Sequence, residues 1–153
     1  MKPGVRAGAV AGAVGTLTLD VLSYGDMLLT GRAPSALPGQ AAARLAKLVG
    51  IELGGEDGDE AASRGSALGA LLGYGVGVLV GAIYGAAQGR RPAARLSGPI
   101  LGGLAMLLAD SPMVAQGLTD PRTWGARGWA SDIVPHIGYG VATVATYRAI
   151  TTP

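Results

Sequence analysis

The sequence predicts an all-α membrane protein, a bundle of four transmembrane helices arranged as two tandem helix pairs. Three observations predict it: apolar runs of membrane-spanning length, a composition dominated by small residues, and a set of segments on one side whose only charges are positive.

Composition comes first because it excludes the alternative. Mean hydropathy is +0.38. Only 14% of residues are charged, 27 are glycine and none is phenylalanine. Ala and Gly stand where a water-soluble core would need large side chains. Small residues suit helices packed in lipid, where close backbone approach replaces the hydrophobic drive between helices. With no cysteine, disulfides, thiolate metal sites and cysteine nucleophiles are excluded.

Four stretches approach the ~20 residues that span hydrocarbon: 7–29, 65–88, 96–118 and 129–150. The first follows Lys2 and Arg6 and could pass for a signal peptide, but its apolar run is too long and lacks a clear cleavage site, so it is read as a retained helix. Lys2 and Arg6, then Arg90, Arg91 and Arg95 in the second loop, then Arg148, sit in segments without an acidic residue. The positive-inside rule therefore puts both termini and the 89–95 loop in the cytoplasm. The excess of Arg over Lys, with so much Ala and Gly, suggests a high-GC bacterial genome, so the expected location is a bacterial plasma membrane.

The two halves, 1–89 and 90–153, resemble one another. An offset of 90 aligns Gly8 with Gly98, Gly12 with Gly102, Leu17 with Leu107, Asp20 with Asp110, Leu28 with Leu118 and Arg32 with Arg122. An offset of 65 lays Gly73-Tyr74-Gly75-Val76 over Gly138-Tyr139-Gly140-Val141. Two helices per unit imply a parallel repeat about an axis along the membrane normal. The external loop 30–64 is broken at first by Pro and Gly. Its segment 41–51 then carries apolar residues at helical spacing around Arg44 and Lys47, the pattern of a short amphipathic helix on the outer surface. The acidic stretch Glu56-Asp57-Gly58-Asp59-Glu60 reads as solvated loop, with cation attraction as the sharper alternative.

Glycine recurs at every fourth position in Gly65, Gly69, Gly73, Gly77, Gly81 and Gly85. On a helix this is a strip bare of side chains, for packing within the chain or for a glycine zipper between copies in a homo-oligomer.

Ionisable groups inside apolar spans are costly, by ~2.5–3.5 kcal/mol for an aspartate on insertion scales. Asp20, Asp110 and His136 all fall roughly 10–14 Å below the outer surface at the ~1.5 Å rise of a helix. Such a trio suits a proton relay, because neighbouring carboxylates share protons and imidazole titrates near neutrality. Two carboxylates and an imidazole also suit a divalent cation. Equally, the aspartates could simply lock the bundle through hydrogen bonds. Pro112, two residues after Asp110, predicts a kink. Asp132, four residues before His136, is placed to orient its ring, or to serve as a surface charge at a helix N-terminus. Asp26, Trp124 and Trp129 fit the external interface.

No metalloprotease, nucleophile-elbow or P-loop motif is present. Neither an enzyme nor a cofactor is predicted, and the basic fringe is too small for nucleic acid. The expected partner is the lipid bilayer. The function expected first is passage or coupling of protons or small cations, and second an accessory or assembly role through helix packing.

The second half resembles the YagU-like family of bacterial inner-membrane proteins. The residues that carry the likeness are Gly98, Gly102, Gly117-Leu-Thr-Asp-Pro121, Trp129, Ser131-Asp132-Ile133 and His136, with Arg32-Ala-Pro-Ser35 a looser match in the first half. The resemblance implies a multi-pass membrane protein, draws attention to Asp132 and His136, and supplies no activity.

Overall fold

The computed structural model describes residues 3–54, 58–88 and 97–152. Lys2, the arginines at 90, 91 and 95, and the acidic pair at 56 and 57 lie outside the described residues. The chain forms α1 (Pro3–Thr30), α2 (Leu37–Leu48), α3 (Gly58–Gln88), α4 (Ser97–Ala115) and α5 (Ala126–Thr151), with a 3-10 turn at Pro121–Thr123 before α5. Among the described residues there is no strand. Three helices, α1, α3 and α4, are long and apolar enough to cross a membrane.

The helix ends follow local chemistry. α1 stops where Gly31 takes φ +70°, a left-handed conformation that costs glycine little. Gly117, at φ +65°, ends α4 in the same way. Its N–H bonds the Val114 carbonyl at 2.9 Å and the Leu118 N–H bonds Met113 at 2.9 Å, the paired bonds of a Schellman cap. Asp59 and Glu60 open the first turn of α3, where negative charge favours the helix dipole. These two acids are thus helical, not part of a solvated loop, and Glu60 pairs with Arg64 one turn on.

The bundle is packed through its small residues. α1 buries Ala7, Gly8, Ala11, Gly12, Gly15 and Thr16, while Val10, Leu17, Val21 and Leu28 point outward. A methyl group built on Gly8 would overlap the Gly81 carbonyl oxygen, and one on Gly12 would stand 2.5 Å from that of Gly77. α1 and α3 therefore touch backbone to backbone and run antiparallel. α4 meets α5 likewise, with Gly98 against Val141 and Gly140, and Gly102 against the His136 carbonyl. α5 lies between α1 and α4. All four long helices alternate in direction, so Arg6 and Arg148 share one end and Asp26, Arg32 and Trp124 the other.

The position of α5 explains why it is less apolar than its neighbours. Its buried residues include Tyr139, Thr143 and Tyr147, and each hydroxyl is satisfied inside the bundle. Tyr139 donates to the Gly77 carbonyl at 2.6 Å, Thr143 to the Tyr139 carbonyl at 2.8 Å and Tyr147 to Gly85 at 3.3 Å. The constant spacing of the two tyrosine bonds fixes α3 and α5 as parallel.

α2 is a helix, as its spacing predicts. Ala41, Ala42 and Ala46 are buried against α3, and Arg44 donates to the Gln116 carbonyl at 2.7 Å, tying α2 to the end of α4. Leu48, Val49 and Ile51 remain exposed. The two Gly-Tyr-Gly-Val stretches occupy different surroundings. Gly73 faces open space, whereas a Cβ on Gly138 would strike Leu22.

Candidate functional site

α4 and α5 bring three ionisable side chains together. Asp110 of α4 neighbours Asp132 and His136 of α5, near enough to feel the charge of both. His136 Nδ1 stands 2.9 Å from the Asp132 carbonyl oxygen and 3.2 Å from Asp132 Oδ1. Both neighbours are acceptors, so Nδ1 carries the proton and donates. Asp132 Oδ2 is buried without a hydrogen-bond partner among the described residues. A proton held between two carboxyls would give such an oxygen a partner, which two ionised carboxylates cannot do.

Local sequence sets this geometry. Asp132 and His136 are one turn apart on α5 and so project together. Pro135 lies inside α5 and cannot donate to the Ser131 carbonyl, which loosens the backbone beside His136. Pro112 lies inside α4, and that helix runs on through it to Ala115. Gly102 lets α4 approach the His136 carbonyl closely enough that any Cβ there would collide.

Asp20 is not part of this group. Its carboxylate accepts a 2.6 Å bond from the Tyr74 hydroxyl of α3, and the charges acting on Asp110 and His136 are each other's and that of Asp132. Thr18 and Leu22, which bracket Asp20, both face Gly138, so Asp20 and His136 do share a height in the bundle. They differ in direction: Asp20 turns toward α3, and the α4–α5 pair lies across the bundle. Of the expected trio of Asp20, Asp110 and His136, the structure groups Asp110 and His136 with Asp132 and sets Asp20 apart. Asp132, read as an orienting residue or a surface charge, is a full member. Among the described residues, no three or more His, Cys, Asp or Glu side chains stand in a geometry that could hold a metal ion.

The glycine strip of α3 serves two neighbours. Gly65 and Gly69 lie against Gly39 and Pro38 of α2, and Gly77, Gly81 and Gly85 against Thr16, Gly12, Gly8 and Gly4 of α1. A spacing of four drifts roughly 40° per step on a helix of 3.6 residues per turn, so one strip cannot stay on one partner. Gly73 falls at the changeover.

The interhelical tyrosines Tyr74, Tyr139 and Tyr147 are not legible as polar anchors, although for Tyr74 and Tyr139 a tyrosine between two glycines at mid-span is a signal. Near the Trp124 end, the Trp124 indole donates to Thr119 at 2.8 Å and its ring lies 5.0 Å from that of Trp129. Fold and site define a class, an all-α protein with three helices able to span a membrane and a carboxyl–imidazole group between α4 and α5. No protein-family model matches the chain, and no curated protein or solved structure matches it either.

Proposed function

We propose that this is a multi-pass protein of a bacterial plasma membrane that takes up and releases a proton at Asp110, Asp132 and His136. The observation that carries the reading is the buried, unpartnered Oδ2 of Asp132 beside the Asp110 carboxyl. A merely structural aspartate pair would be expected to fill its acceptor sites from backbone N–H or hydroxyl groups. An acid pair bonded to an imidazole that can itself change charge is suited to passing protons. In this reading α5 is the fourth span, both termini are cytoplasmic, the halves arose by duplication, and the Ser131-Asp132-Ile133 and His136 motif links the chain to the YagU-like family.

The test is acidification of reconstituted vesicles under an imposed potential, measured per folded protein. The parent should carry a proton flux that Asp110→Asn and Asp132→Asn abolish, while Asp20→Asn keeps it. A parent without flux under any proton or cation gradient sinks the reading.

An accessory role through helix packing is favoured by one feature, the open space beside Gly73. It leaves the backbone of α3 bare there for another helix to approach.

A further inference from the structure

The Asp20–Tyr74 pair is chemistry on the wrong side of the bundle. Tyr74 is 46% exposed and lies near the middle of α3. Asp20 is about 15 Å from the end of α1 at a 1.5 Å rise per residue. Both stand on the outer surface formed by α1 and α3, where lipid chains would offer no hydrogen bond. A carboxylate accepts several such bonds, and the one found here comes from Tyr74. An acid left on a hydrocarbon-facing surface is expensive, so this surface calls for a polar cover.

The same face carries what would cover it. Tyr24, one turn beyond Asp20, is 64% exposed and presents a hydroxyl donor. The bulky exposed residues of α1 (Val14, Leu17, Val21, Tyr24 and Leu28) alternate in spacings of three and four, the seam of two helices wound together. No heavy atom approaches Gly25 within 4 Å of where a Cβ would stand, so a neighbouring backbone can come close. A face with an acceptor and a donor one turn apart is self-complementary, as a two-fold interface requires.

We infer that the outer face of α1 pairs with the same face of a second copy, the Tyr24 hydroxyl of each chain bonding Asp20 of the other. The inference is independent of the proton reading and leaves the α3 strip to its contacts within the chain. A helix of a different protein would have to bring its own donor, whereas the second copy already has one.

The cysteine-free chain allows a direct test. Val21→Cys and, as a control on α5, Val141→Cys (both exposed) are oxidised in native membranes with copper phenanthroline, after confirming that each variant is monodisperse in detergent. Val21→Cys should give a covalent homodimer and Val141→Cys should not. Adding Tyr24→Phe to Val21→Cys should cut the dimer yield severalfold. No adduct at Val21, an adduct to another protein, equal crosslinking at both positions, or a yield indifferent to Tyr24 would each overturn the pairing.

Discussion

Tyr139 on α5 donates its hydroxyl to the carbonyl of Gly77 on α3, a 2.6 Å bond that the Tyr147–Gly85 bond repeats two turns along. Its ring also lies against Gly15 of α1, so one side chain ties three helices. Tyr139→Phe keeps the ring and removes the bond. We expect a loss of about 0.5–1.5 kcal/mol, read as a lower melting temperature in detergent with the oligomeric state unchanged. An unchanged melting temperature would show that the bond adds nothing to stability.

The glycine contacts separate positions that look equivalent in sequence. A methyl group at Gly81 would overlap the Gly8 carbonyl, while one at Gly73 meets nothing within 4 Å. Gly81→Ala should destabilise the fold, since overpacking costs ~1–3 kcal/mol. Gly73→Ala should be neutral or slightly stabilising, because alanine favours helix by about 1 kcal/mol over glycine. Thermal unfolding of the two variants beside the parent decides it, and equal effects would mean that the strip does not divide at Gly73.

Much of this architecture is legible in the sequence because it depends on position along a helix. Residue spacing gave the helices, the amphipathic segment that becomes α2, and the common height of Asp20 and His136. Spacing alone does not give direction around the bundle. Asp20 points to Tyr74 rather than to Asp110 because α1 rests on α3 through Gly8 and Gly12, and that contact is a property of two helices together. Asp132 was ambiguous for the same reason. One turn from His136 on α5 is readable, but its approach to Asp110 depends on how Gly102 lets α4 close on α5. The repeat register of 65 aligned letters whose neighbours differ, open space at Gly73 and Leu22 at Gly138.

Orientation can be checked with single cysteines. Gly58 and Thr152 are exposed at opposite ends of the bundle, and the positive residues Arg6 and Arg148 lie at the Thr152 end. Gly58→Cys should react with an impermeant thiol reagent added to intact cells, and Thr152→Cys should react only after the membrane is opened. The reverse pattern would invert the topology.

The central claim is that Asp110 and Asp132 share one proton, and infrared spectroscopy reads this directly through the carbonyl stretch of a protonated carboxyl. At neutral pH, in heavy water and in ordinary water, the parent protein should show a protonated-carboxyl band that shifts on exchange. Asp110→Asn and Asp132→Asn should each remove or displace it, and Asp20→Asn should leave it in place. A parent spectrum with no protonated carboxyl at neutral pH, or a band that disappears with Asp20 and not with Asp110, would contradict the account.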